Sequence, residues 1–297
     1  VTSLPAGEPP PRASGATGQQ RVIVLIVPTM KNTVFPDIVR GVEDCAQAHG
    51  YTVFIGNTYT DQDRERALIE QMLHSGIDGL LIDPTHSVVE RPDFPSYPFL
   101  AECPVPVVLL NNFIPGLDIP MVAPDDVRCG QIAADYLYRH GHRKVSYIYK
   151  ASVAAALNRR DGFVERMHTL GVTIDPAKII SYPEDTEGDE PGFRHTIALL
   201  GMPNPPTAIF YFNDDVAIQG MRAIRESGLV VGRDVSVLGF DNIDESGDPD
   251  IRLTTFDHPK QFCGKWAADI LFAKINRSGS PHSVLIQPDL IERASVL

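Results

Sequence analysis

One feature restricts this chain more than any other: short runs rich in Val and Ile alternate with amphipathic stretches, and the alternation occurs twice. The first series of runs is Val22–Val27, Thr52–Ile55, Gly79–Ile82 and Val105–Leu110; the second is Val145–Tyr149, Ile179–Ser181, Ala208–Phe212 and Val235–Phe240. Runs that are apolar on both faces suit strands of a parallel sheet covered by helices on each side. Between them, Phe35, Ile38, Val39, Val42 and Cys45 recur at helical spacing before Gly50, and Leu68, Met72 and Leu73 before Gly76. Ile132, Ala133, Tyr136 and Leu137 do the same before Gly141, and Ala217, Met221 and Ile224 before Gly228. Each Gly stands where a helix ends in a left-handed residue.

The pattern predicts an α/β protein of two lobes, each a doubly wound parallel sheet. After Phe240 it changes: Ile251–His258 leads into a helix over Pro259–Asn276 and a closing strand over Ser283–Ile291. Late elements of this kind can cross back, so the lobes are expected to share a hinge of several strands. The expected partition is a linker over 1–20, a first lobe over 21–142 plus 257–277, and a second over 143–256 plus 278–297. The linker reading rests on composition: Pro5, Pro9, Pro10, Pro11, Gly7, Gly15 and Gly18 cannot build a core.

Charge excludes one class of partner for this segment acting alone. With 38 acidic against 26 basic residues the net charge is −12, and no Lys/Arg cluster offers a phosphate-binding surface. No apolar run reaches the ~18 residues of a membrane span. Cys45, Cys103, Cys129 and Cys263 are far apart, which argues against a metal site and for small buried hydrophobes in a reducing compartment. No basic stretch followed by an apolar one opens the chain, so a cytoplasmic location is expected.

In an open parallel sheet, ligands bind beyond the carboxyl ends of the strands. Here those ends carry Asn57, Asp83, Asn111 and Asn112 in the first series, and Lys150, Asn213, Asp214, Asp215, Asp241 and Asn242 in the second, with Arg159 nearby. Some will be turn or cap residues. As a set, however, they match hydroxyl-bearing ligands, because each hydroxyl donates and accepts while Asp, Asn and Arg present two bonding atoms in one plane. Phe35, opening a helix after the first strand, could face the C–H side of a sugar ring. Enzyme signatures are missing: no GxGxxG follows the first strand, and there is no Walker A, HExxH or GxSxG sequence. The acids have Asn, Lys and Arg neighbours, expected to hold them ionised for binding rather than proton transfer. No catalytic residue, metal or cofactor is expected.

Several stretches resemble the effector domains of the lactose and galactose repressor family. They are IVLIVPTMKNTVFPDIVRGVE, RHGHRKVSYI, the NRRDGF step, PTAIFYFNDDVAIQGMRAIRESGL, VGRDVSVLGFDN, LTTFDHP and QPDLIERAS, and they span residues 21–297. Within the family the likeness runs nearest to arabinose repressors, through Phe35–Pro36, Pro84–Thr85, Asp125–Asp126–Val127, Lys150 and His258–Pro259–Lys260. The resemblance implies a periplasmic-binding-protein-like fold, a monosaccharide effector of the L-arabinose type, and a homodimer. It also implies operator binding through an N-terminal head upstream of this chain. Carried over by position, it makes Phe35 a ring platform and Arg159 a two-pronged hydroxyl binder. Asn213 and Asp241 would bind hydroxyls, Asp125 or Asp126 and His258 would line the cleft, and Lys150 belongs to the arabinose-repressor likeness alone. The competing reading is an exported solute-binding protein of a sugar transporter, which shares fold and site.

Overall fold

A computed structural model describes residues 21–30, 34–85, 97–114, 116–183, 189–278 and 282–297; the linker expected over 1–20 lies outside them. Strands β1 (Val22–Val27), β2 (Thr52–Asn57), β3 (Gly79–Ile82), β4 (Val107–Leu110) and β5 (Met121–Pro124) alternate with helices α1 (Val34–Ala48), α2 (Gln62–His74) and α3 (Pro98–Ala101). A second run follows: α4 (Asp126–Arg139), β6 (Val145–Lys150), α5 (Ala154–Thr169), β7 (Ile179–Tyr182), α6 (Pro191–Leu200), β8 (Ala208–Tyr211), α7 (Asp214–Glu226) and β9 (Ser236–Leu238). The chain closes with β10 (Thr255–Asp257), α8 (Lys260–Ile275), β11 (Val284–Ile286) and β12 (Asp289–Ile291).

Two parallel sheets result, in the orders β11-β5-β4-β3-β1-β2 and β7-β6-β8-β9. Central β1 is buried at all six positions, as its unbroken VIVLIV run requires. Edge strand β2 instead exposes Phe54 and Ile55. The glycines that close the predicted helices do so: Gly141 and Gly228 have φ of +84° and +76°. Within each lobe a pair of glycines brings two helices to backbone contact. A Cβ on Gly41 would fall 2.1 Å from the Gln261 carbonyl oxygen of α8, and one on Gly130 2.1 Å from that of Arg159 on α5.

The seam lies earlier than the expected Gly141. Helix α4 buries Cys129, Ala133, Ala134, Tyr136 and Leu137 in one core with Tyr147, Phe163 and Phe210 of the second sheet's lobe. The chain therefore leaves the first sheet at Pro124, directly after β5, a strand that the predicted series did not include. The closing segment also departs from expectation. It splits into β11, which joins the first sheet beside β5, and β12, which pairs antiparallel with β10. Residues near 284–286 thus belong with the first sheet rather than the second, because Asp125 N–H bonds to the Ile286 carbonyl. Helix α8 packs in the core of α1 and β1. Among the described residues the chain passes between the bodies three times, near Asp125, His258 and Pro288.

Candidate functional site

Between the lobes lies a cavity of about 170 Å³, closed by the carboxyl ends of strands from both sheets. That is below the ~300–1,000 Å³ of drug-sized sites, and suits one small molecule. From the first lobe come Phe35, Asp83, Thr85, Asn111 and Asn112; from the second, Asp126, Lys150, Arg159, Phe212, Asn213, Phe240 and Asp241; His258 comes from the crossing between β10 and α8.

Arg159 is the best-held group. It projects from α5, is 2% exposed, and stacks over Phe240 with its guanidinium carbon 3.4 Å from the ring centre. Its Nε donates to Asp126 Oδ1 at 3.1 Å, Nη2 donates to the same oxygen at 2.5 Å, and Nη1 donates to the Phe212 carbonyl. Burial works against the charge on Arg159, but Asp126 more than offsets it, so the guanidinium stays protonated even more firmly than in water. Burial also pushes the Asp126 carboxyl up against the pull of Arg159; with a partner that cannot lose its proton, the two form an ion pair. The fork expected to grip two hydroxyls is thus engaged largely by Asp126. Every bond is to Oδ1, which leaves Asp126 Oδ2 without a protein partner among the described residues and Asp126 as the group Arg159 aims.

Asp125 does not line this cavity. It is the N-cap of α4, accepting from Arg128 N–H at 2.9 Å, the work a carboxylate does when it precedes a helix. Asn213 both caps α7, accepting from Val216 N–H at 3.0 Å, and lines the cavity. Asp241 sits at φ +117°, backbone that non-glycine residues rarely adopt, and its Oδ1 lies 3.3 Å from His258 Nδ1. His258 Nε2 lies 3.1 Å from Asn111 Oδ1, so both ring nitrogens are spent within the protein and the imidazole joins strand ends from two sheets. Lys150 ends β6 and is buried at the cavity wall.

Five of the lining groups stand outside the eight predicted site residues. Asp83, Asn111 and Asn112 were visible as strand-end residues, indistinguishable there from turn formers. Phe240 and its neighbour Phe212 end strand runs and read as core; their signal is an aromatic immediately before Asp241 or Asn213. The expectation that acids are held ionised fails at Asp83. Burial pushes its carboxyl up to about 7, against hydrogen bonds from Asn111 and Asn112, and Glu65 adds repulsion. Asp214 is likewise raised to about 7 by burial and by Asp241, and it is a strut: it accepts from Ser246, Thr255 and Ile243 N–H.

Comparison with known proteins identifies relatives along nearly the whole chain. Residues 134–296 match the family of periplasmic binding protein-like domains. The arabinose metabolism transcriptional repressor of Geobacillus stearothermophilus is 29% identical over 279 residues, 93% of this chain and 76% of the repressor. The HTH-type transcriptional repressor CytR of Escherichia coli K12 is 31% identical over 287 residues, 93% of this chain and 80% of CytR. A periplasmic binding protein/LacI transcriptional regulator from Alkaliphilus metalliredigens, solved with D-xylulofuranose, superposes with a TM-score of 0.77 at 26% identity, covering 94% of this chain and all of that one. These relatives are regulators of transcription and not enzymes, and no helix among the described residues is long and apolar enough to cross a membrane. With a fold and a likeness along 93% of the chain shared with such repressors, this chain belongs to the LacI family as a periplasmic-binding-protein-like effector domain.

Proposed function

We propose that the cleft binds a neutral monosaccharide, with an L-arabinose-like pentose as the first choice, and that binding controls an attached DNA-binding head. The observation that carries this reading is the composition of the cavity wall. Three carboxyl groups (Asp83, Asp126, Asp241), three amides (Asn111, Asn112, Asn213) and three aromatic rings (Phe35, Phe212, Phe240) converge on about 170 Å³. Lys150 and Arg159 balance much of the negative charge, so the wall suits a polyhydroxyl without net charge better than a phosphorylated one. Aromatic faces suit the C–H side of a pyranose or furanose ring, while carboxylates and amides suit its hydroxyls. A pentose is supported by the arabinose repressor among the relatives and by the neighbour solved with D-xylulofuranose.

Sugar stabilises the closed lobes by binding them better than the open ones. In a dimer, closure would shift the spacing of two heads, with a reciprocal sugar–operator coupling of ~1–3 kcal/mol. The exposed Phe54 and Ile55 on edge strand β2 support pairing with a second copy. This acidic domain leaves phosphate contact to the head. The domain is expected to work in the cytoplasm, where operator DNA is.

Titration calorimetry of this chain with L-arabinose, D-xylose, D-ribose and the common hexoses tests the reading. At least one pentose should bind, and Asp241→Ala and Phe35→Ala should weaken it by tenfold or more with the circular dichroism unchanged, as losing a charged hydrogen bond of roughly 1.5–3 kcal/mol implies for the first. No heat from any pentose or hexose would refute it.

A further inference from the structure

Helix α5 starts without a cap of its own. Its N-cap position is Val153, whose extended backbone (φ −123°, ψ 136°) has the shape a capping residue takes but whose side chain has no acceptor. The first turn of a helix holds N–H groups that the helix itself cannot satisfy. One of these, Ala155 N–H, is satisfied from the opposite lobe: it donates to Asn112 Oδ1 at 3.2 Å. Asn112 follows β4 in the first sheet, whereas α5 packs on the second, so this bond spans the cleft. By contrast α2, α4 and α7 are capped from their own chain segments by Asp61, Asp125 and Asn213.

Asn112 is itself held. Its Nδ2 donates to Asp83 Oδ1 at 3.0 Å, and the other oxygen of Asp83 accepts from Asn111 Nδ2 at 2.7 Å. Asn111, at φ +55°, reaches His258 on the crossing to α8. Asp83 is 3% exposed at the end of β3 and thus fixes two side chains that both leave its own strand tips for other parts of the molecule. Arg159 stands on α5 four residues after Ala155, one turn along.

We propose that the first lobe caps α5 across the cleft, with Asn112 as the capping residue and Asp83 as its positioning residue, so that lobe closure and ordering of the helix that carries Arg159 are one event. When the lobes part, Ala155 N–H loses its acceptor and the first turn of α5 frays. A guest that closes the lobes therefore also sets the helix that aims Asp126 through Arg159. The affinity consequence rests on the pentose reading given above; the cap itself does not.

Amide hydrogen exchange followed by NMR, on the chain alone and with saturating L-arabinose, tests the cap directly, the variants being compared in the sample where the parent Ala155 exchanges more slowly. Asn112→Ala and Asp83→Asn should each speed exchange of Ala155 by about three- to tenfold, the usual worth of one hydrogen bond, while the first turns of α4 and α7 stay unchanged. Val153→Thr added to Asn112→Ala gives α5 an acceptor of its own and should restore protection of Ala155. It should not restore pentose affinity, which falls in Asn112→Ala, because a cap within one lobe replaces neither the bond that spans the cleft nor the Asn112 amide at the cavity wall. Unchanged exchange of Ala155 in Asn112→Ala overturns the proposal, as does an equal rise in α4 and α7, which would mean general destabilisation. If Asp83→Asn does not fold, Asn112→Ala decides alone. If no pentose binds, the exchange result still decides, and only the ligand assignment fails.

Discussion

Replacing Asp126 by leucine leaves the Arg159 guanidinium buried with no counter-charge. In the parent protein Arg159 and Asp126 are 2% and 5% exposed, so neither solvent nor salt can compensate for the missing partner. Breaking one side of a buried pair costs about 3–5 kcal/mol. Asp126 is also an acidic residue in the first turn of α4, where it adds about 0.3–1 kcal/mol against the helix dipole. The total is roughly 3–6 kcal/mol, which at about 2–4 °C per kcal/mol lowers the melting midpoint by on the order of 10 °C. Urea unfolding at 25 °C with an unchanged slope should show the loss directly. The double variant Asp126→Leu, Arg159→Met removes both charges and should recover to within about 2 kcal/mol of the parent, the remainder reflecting the Phe212 carbonyl that loses its donor. A cost under about 1 kcal/mol for Asp126→Leu, or a double variant less stable than either single one, would show that Arg159 does not depend on Asp126 for its counter-charge.

Asp83 and Asp214 have folded-state carboxyls near 7, above their unfolded value of about 3.9. The folded chain therefore binds more protons than the unfolded chain between about pH 4 and 7, and these two groups make stability fall as pH rises through that window. Urea midpoints should decline from pH 5 to 7.5, and Asp214→Asn should flatten the slope while lowering stability at every pH, since it disturbs the acceptors of Ser246 and Thr255; a slope of opposite sign in the parent that this variant leaves unchanged would count against the assignment. Gly130→Ala and Gly162→Ala each place a Cβ 2.1 Å from a backbone oxygen, of Arg159 and Val127 respectively, and should cost about 1–3 kcal/mol or more in thermal unfolding. A Cβ on Gly50 meets nothing within 4 Å, so Gly50→Ala should cost only the strain of its φ of +73°, about 1–2 kcal/mol; equal losses at all three glycines would show that helix approach is not the cause.

Periodicity alone was enough to read the two-lobed parallel architecture, because a strand buried on both faces and a helix with one apolar stripe leave unlike patterns. Of the eight residues predicted for the site, seven line the cleft: Phe35, Asp126, Lys150, Arg159, Asn213, Asp241 and His258. What the linear chain could not settle was which polar side chains face a guest and which serve the protein. Asp125 and Asp126 are adjacent and identical, yet the first caps α4 and the second meets Arg159, a choice made by the direction in which the helix starts. Arg159, expected to grip hydroxyls, is largely occupied by Asp126. Nor did periodicity place α4 in the second core, since the contact of α4 with α5 at Gly130 and Gly162 forms only when that lobe is folded. Hydrophobic periodicity is a local property, set by the few neighbours within one turn or two residues, and so it can be read along the chain. The hydrogen-bond partners Asp83 and Asn112 are 29 positions apart and Asn112 and Ala155 are 43 apart, and they meet only because the tertiary structure brings the strand tips of two sheets together.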